Sequence, residues 1–471
     1  MPNAKLCVAK LTIGLLLATA VVTDAAETVR GRLWVTWGAA EVGSELVAPM
    51  VTELHTPDGT VIPVDLTQGQ RQVLGGTDRM SGAEVTLDLA PGEPPRQVRS
   101  LVVHARESRA TEDISGSYPW ISILCKFAGN SSEPRDVAFF QSQYGTSWPG
   151  LNHYWRTLSY GMANVDGSTA VAWVQMPHPA SHYADQGSDG NWQSSDIDLN
   201  ELFEDCTDAA DHLVYFPDFV GINMMFNDTF GPWAWGGSRG GSMDGGGWWR
   251  VTWEPPWGWK KHAVLAHEMG HGFGLPHSNN ADGDNDPYDN PWDVMSDAHY
   301  WGGYSSTYGT VGKGTIAYHL DRLGWIPASE KVTVDPGTMV TATVDHLALP
   351  STTNLRMIRV PISGSSRYYT VEVRDQEGYD ENLPGFAVVI HEVFTGRSEP
   401  AWLVDAAVPT NGADAGAMWV VGECFEDEGN EISICVESVA TEGFLVRVLN
   451  AAQVIHADGF ESGSLNEWSG P

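Results

Sequence analysis

A chain of 471 residues exceeds what one ordinary hydrophobic core organises and calls for two or three domains. With 42% apolar and 18% charged residues it has ample material to bury, which excludes a disordered chain. Lys+Arg 26 against Asp+Glu 60 gives a formal charge of -34, so there is no basic footprint to displace counterions and nucleic acid is not an expected partner.

Residues 1–26 carry two lysines, an apolar run from Leu11 to Val22 and small residues before Glu27, the pattern of a secretory signal peptide. The expected location is therefore extracellular. Once Cys7 leaves with that segment, Cys125, Cys206, Cys424 and Cys435 remain. An even count in an exported chain favours disulfides, most simply Cys125 with Cys206 and Cys424 with Cys435, although three pairings are open. No later apolar run is long enough to span a bilayer, and a monomer is the expectation.

Residues 27–110 read as a small N-terminal β domain: VRGRLWVTW and VTLDL alternate apolar and polar positions. The polar stretch from Arg106 to Ser117 has no periodicity and reads as a linker. Its Arg106 and Arg109 make it either the place where a propeptide is cut away or an uncut connection to a permanent domain.

From 117 to 327 strands and helices alternate, the order of an α/β (α+β) layer with a mixed sheet. YPWISILC, STAVAWVQM and FVGINMMF read as strands, and VAFFQSQY and LNHYWRTLSY as helices. DIDLNELFEDCTDAADHL places Leu199, Leu202, Phe203, Cys206 and Leu213 on one helical face. The run from Gly231 to Lys261 holds seven tryptophans, which either line a cleft or simply pack. Residues 328–450 are short alternating runs separated by turn residues and read as a β-sandwich; 451–471 reads as a flexible tail.

The chemistry concentrates in HEMGHGFGLPH. On a helix, His267 and His271 project from one face a turn apart, and Gly274 permits a sharp turn that returns His277 as a third ligand. Three neutral imidazoles leave a fourth position open, the arrangement of a catalytic zinc. Zinc lowers the pKa of its water towards about 7 and polarises a carbonyl, while Glu268 takes the water proton and hands it to the leaving amine. The H-E-x-x-H core alone arises by chance in roughly a few per cent of such chains, and the added Gly274 and His277 lower that to about one in ten thousand.

HEMGHGFGLPH resembles the extended zinc signature of the metzincin metallopeptidases. With LSYG, WDVMS, HLDRLGW and VEVRDQEGYDENLPGFAVVIHEV, the stretch Tyr118–Val393 is similar to secreted bacterial peptidases of the immune inhibitor A and gametolysin kind. The resemblance implies a metzincin-like catalytic domain with a mixed sheet and an active-site helix. It also implies that Met295 of WDVMS forms the methionine turn beneath the metal. Some metzincins carry a tyrosine two residues after that methionine; here Asp297 stands there, which leaves Tyr300, or His299, as the candidate transition-state stabiliser. No cysteine lies between Ala26 and Cys125, so a cysteine switch is absent.

DGDNDPYDNPWD offers Asp282, Asp284, Asp286, Asn290 and Asp293 at EF-hand-like positions, but Pro287 replaces the required glycine. The loop is either a calcium site of looser geometry or a solvated acidic loop. The expected function is a secreted zinc endopeptidase acting on proteins, peptides or cell-wall and matrix glycoproteins. The competing reading is a cell-surface or matrix-binding protein whose metal site is structural or inactive.

Overall fold

The computed structural model describes residues 27–451, except 42–45, 47–48, 106–112, 187–190, 284–285 and 408–409. The expected signal peptide, the Arg106 and Arg109 cutting sites, Asp284 and nearly all of the tail lie outside the described residues. Among those described, no helix is long and apolar enough to cross a membrane. The chain is mixed α+β with several sheets.

The N-terminal strands are β1 (Glu27–Ala40), β2 (Met50–His55), β3 (Val61–Asp65), β4 (Glu84–Leu89) and β5 (Arg96–Ala105). The β2–β3 hairpin closes on TPDGT, where Gly59 takes φ 88° and the Thr56 N–H donates to the Thr60 carbonyl at 2.9 Å. Pairings β1–β2, β2–β3, β3–β5, β5–β4 and β4–β1 close the five strands on themselves. The inward positions Leu33, Val35, Trp37, Leu54, Val85 and Leu87 fill the interior as a core of their own. This barrel is not cleanly separated from the sheet that follows it, however. β1 is 14 residues long, and only its first part belongs to the barrel alone.

The second unit contains β6 (Trp120–Lys126), β7 (Thr169–Gln175), β8 (Gly221–Phe226), β9 (Trp233–Gly241) and β10 (Gly247–Glu254). Strands β7, β6, β8 and β10 run parallel and β9 runs antiparallel beside β10, so this is a mixed sheet. β8 is buried at every position, which explains its unbroken apolar run. The last residues of β1 pair antiparallel with β9, from Thr36 opposite Gly237 to Ala40 opposite Trp233, and fuse barrel and mixed sheet into ten strands. The expected N-terminal β domain is thus a barrel with its own core that also shares a strand with its neighbour. Strand pairing is non-local, so alternation in 29–37 could not reveal it.

Helices α1 (Val137–Ser142), α2 (Leu151–Leu158) and α3 (Leu199–Ala210) match the expected segments. α3 starts at Asp198, whose side chain caps the Glu201 N–H at 2.9 Å, and buries Leu199, Leu202, Phe203, Cys206 and Ala210. Leu213 does not join that face: the helix has already ended and the side chain is 43% exposed. The Cys125–Cys206 disulfide ties α3 to β6. In the tryptophan run, Trp233, Trp235, Trp249, Trp253 and Trp259 are buried, and Trp249 and Trp259 donate their indole N–H to the Phe216 and Phe226 carbonyls. These rings pack between layers instead of lining an open cleft.

Residues 328–450 form two facing sheets. One comprises β11 (Lys331–Thr333), β13 (Met357–Pro361), β14 (Tyr368–Arg374), β15 (Ala387–Val393) and β16 (Ala401–Leu403) in that spatial order. The other runs β12 (Thr338–Asp345), β19 (Gly443–Asn450), β18 (Ile432–Val439), β17 (Cys424–Asp427). Val344, Ile358, Val371, Ile390, Ile434 and Val446 interdigitate between them. The Cys424–Cys435 disulfide staples β17 to β18. The sandwich braces the second unit from behind: buried Arg374 donates to the Trp292 carbonyl and pairs with Asp380 at 2.8 Å.

Candidate metal centre

Helix α4 (His262–Gly272) is buried at every residue and lies against β9, so closely at one point that a Cβ on Gly236 would stand 2.3 Å from the Glu268 carbonyl oxygen. His267 and His271 sit one turn apart on the same face. Just past the helix end comes Gly274, whose φ of 91° suits glycine and whose N–H donates to the His271 carbonyl at 2.9 Å. The reversed chain then delivers His277.

The three Nε2 atoms converge. His267 to His271 is 3.0 Å, and His277 is 3.1 Å from each. The opposite ring nitrogens fix the tautomers: Nδ1 of His267 donates to the Val294 carbonyl and Nδ1 of His271 to the Leu275 carbonyl, both at 2.7 Å. The Nε2 lone pairs of His267 and His271 therefore face the point on which His277 Nε2 also converges, and these three residues could hold a metal ion. Burial holds the rings neutral, pulling His267 down to about 4 and His271 and His277 well below the usual imidazole value.

Met295 supports this cluster. A Cβ on Gly270 would meet its sulfur at 2.4 Å, so the methionine is pressed against the helix between the first two histidines. The turn carrying it is held by Asp293, which is fully buried. One Asp293 oxygen accepts from the Met295 N–H at 3.0 Å and the Thr315 hydroxyl at 2.7 Å; the other accepts from Ser278 at 2.7 Å and faces His319 Nδ1 at 3.1 Å. Asn290 is equally committed, donating to Ser278 and accepting from the Trp292 N–H at 3.1 Å. Asp286 Oδ1 accepts from the Tyr288 N–H at 2.9 Å. Asn290 and Asp293 are thus turned inward and committed to the protein, while Asp284 lies outside the described residues. The apparent ninth and twelfth positions are internal braces of the methionine turn, because linear spacing says nothing about which way a side chain points.

Glu268 is fully buried and neither carboxylate oxygen has a hydrogen-bond partner. Burial raises its pKa well above the usual carboxylate value, and the Glu254 carboxyl, itself buried and without a hydrogen bond, raises it further. The Tyr300 side chain is 61% exposed. The tyrosine beside the cluster is Tyr288, with its ring 5.7 Å from that of His277. Its hydroxyl donates to the Gly38 carbonyl and accepts from the Ala40 N–H, both at 2.9 Å. His299, the alternative to Tyr300, reaches the Ala40 carbonyl at 3.3 Å. Trp37 of β1 stacks on His271 at 5.0 Å and 13°. Sequence reasoning missed Tyr288, Trp37 and Glu254; an isolated tyrosine inside an acidic loop gives no cue, nor does a tryptophan some 230 residues upstream.

Neither the models of known protein families nor the curated proteins yield a match to this chain.

Proposed function

We propose that the chain is a secreted, zinc-dependent endopeptidase of the metzincin kind. The observation that carries this reading is the convergence of three buried imidazole Nε2 atoms beside a buried carboxyl group without a hydrogen-bond partner. The donor set fits zinc: a tetrahedral ion at about 2.0–2.1 Å from each nitrogen wants them about 3.3–3.4 Å apart, a few tenths of an ångström from what is present. His267, His271 and His277 would hold it. When bound, zinc supplies a Lewis acid that polarises a carbonyl and acidifies water.

The chain's own residues do the rest. Asp293 and the Val294 carbonyl keep the His267 ring in place, and Met295 fills the space under the helix. Glu268 accepts the proton of the attacking water and returns it to the leaving amine, work for which an unpaired carboxylate in a dry site is suited. Both disulfides are compatible with an oxidising compartment outside the cytoplasm. Proteins or peptides found there, cell-wall and matrix glycoproteins included, are the substrates this reading implies.

One observation favours the competing reading, a binding protein with a structural metal. His267 and Glu268 have no exposed surface, and His271 and His277 are 1% and 3% exposed. A structural site, however, has no use for Glu268, whose unpartnered burial costs free energy.

The test is hydrolysis of a dye-quenched protein by the wild type and by Glu268→Gln at equal zinc content, each before and after brief trypsin treatment stopped with a serine-protease inhibitor. Hydrolysis by the treated wild type and its loss in the variant are expected. Zinc bound without Glu268-dependent hydrolysis in any form would establish the structural site instead.

A further inference from the structure

We infer that the C-terminal sandwich holds a divalent cation of the zinc class at His346, Asp375 and Glu377. The ion ties the two sheets of the sandwich to each other and braces the loop through which the sandwich grips the second unit. The inference is independent of the peptidase reading. One ligand atom from each of the three residues lies within 4.8 Å of the other two.

The imidazole is the group that asks for a ligand. His346 has no exposed surface, and neither of its ring nitrogens makes a hydrogen bond. A buried imidazole left in that state costs free energy. Glu442 comes near, with Oε2 3.6 Å from Nε2, but that is too long for a hydrogen bond. A metal ion takes such a lone pair, and the carboxylates of Asp375 and Glu377 supply the charge that holds it. Arg374, next to Asp375 in the chain, spends its guanidinium on Glu372 and Asp380, so the like charges gathered at Asp375, Glu377 and Glu442 are not neutralised from there. One imidazole among carboxylates suits a zinc-like ion better than calcium, whose ligands are oxygens.

The site is also reachable. Asp375 is half-buried and Glu377 exposed, so an ion has a way in and two of the ligands have room to close on it. A tetrahedral ion at about 2.0–2.1 Å from its donors wants them about 3.3–3.4 Å apart, which rotation of these two side chains reaches.

Three segments of backbone meet at this point. β12 ends at Asp345, and His346 then bridges Val373 of β14 in the opposite sheet, with the Leu347 N–H donating to the Val373 carbonyl at 3.0 Å. The His346 N–H donates to the Glu442 carbonyl at 2.8 Å, just before β19 begins. Asp375 follows β14 directly. Glu377 stands at the cap position of the short turn Gly378–Asp380, yet its side chain makes no capping hydrogen bond and is available to an ion. That turn reaches the second unit: the Tyr379 hydroxyl lies 2.8 Å from His153 Nδ1, and Asp380 Oδ1 accepts from the Gly314 N–H at 2.8 Å. The Gly314 carbonyl in turn accepts from the Val294 N–H at 3.1 Å, beside Met295. An ion held by Asp375 and Glu377 therefore fixes the root of the contact that supports the methionine turn.

The experiment loads the full chain with zinc, removes the excess by gel filtration and counts ions per chain by elemental analysis. Wild type, His346→Gln and Asp375→Asn/Glu377→Gln are compared, and amide exchange at residues 346–347 and 375–380 is followed with and without zinc. Both variants should hold one ion fewer than the wild type. Zinc should slow exchange in those residues of the wild type about tenfold, as a free concentration of roughly ten times the Kd gives, and should leave it unchanged in the double variant. An ion lost from the histidine cluster instead would not produce that local difference. The double variant replaces side chains at the surface, so it still reports if His346→Gln, at a buried position, fails to fold. Equal ion counts in the wild type and the double variant overturn the inference, as does exchange at 375–380 of the wild type that zinc does not alter.

Discussion

Replacing Glu53 by Gln isolates the main electrostatic tie between the barrel and the mixed sheet. Glu53 meets Arg239 of β9 at 2.8 Å, with Asn200 donating to it at 3.1 Å; Arg239 is 2% exposed. Burial by itself raises the Glu53 carboxyl, but the Arg239 guanidinium, His55 and the Asn200 amide together outweigh it and lower the pKa from 4.5 to about 2. A depressed carboxylate stabilises the fold above its unfolded pKa and loses that contribution as pH falls through its folded value. Here the window is pH 4.5 down to 2, and linkage gives about 3 kcal/mol at pH 7 and about 1 kcal/mol at pH 3. Glu53→Gln should therefore destabilise the barrel by about 3 kcal/mol at pH 7, with much of that penalty gone at pH 3, where the carboxyl of the unfolded chain has already taken up its proton. Guanidinium unfolding of both proteins at the two pH values, followed by amide exchange of barrel residues, reads the difference. A penalty of the same size at pH 3 as at pH 7 would mean that the charge of Glu53 is not what fastens the barrel.

Three further outcomes are expected. Removing Cys125–Cys206, which closes 81 residues, should cost about 4–5 kcal/mol, and removing Cys424–Cys435, which closes 11, about 3 kcal/mol, measured as shifts in denaturant midpoint. Gly274→Val forces a β-branched residue to φ 91°; it should cost about 1–2 kcal/mol and weaken zinc binding, read by competition with a chelator, because this turn delivers His277. Gly270→Ala places a methyl 2.4 Å from the Met295 sulfur, so the melting curve should show about 1–3 kcal/mol of overpacking; Gly270→Ala with Met295→Ala should recover part of it.

The histidine cluster was legible because its geometry is local: a four-residue spacing on a helix and one glycine turn suffice to bring His267, His271 and His277 together. The sandwich was legible from alternation, and the disulfides from the parity of the cysteines. Asn290 and Asp293 misled, since a loop's spacing does not fix the direction of its side chains, and only packing turned them inward beneath Met295. Tyr288 was brought to His277 by a fold of the loop that no local pattern records.

The sequence by itself determined the helix, its three imidazoles and the carboxylate beside them, because each arises from contacts within about ten residues. Only the tertiary structure decided that β1 lies across them. Strand pairing joins Thr36–Ala40 to residues 233–237, and a hydrogen-bonded edge accepts any extended backbone, so the choice of occupant is written in the assembled surface and not in either segment alone.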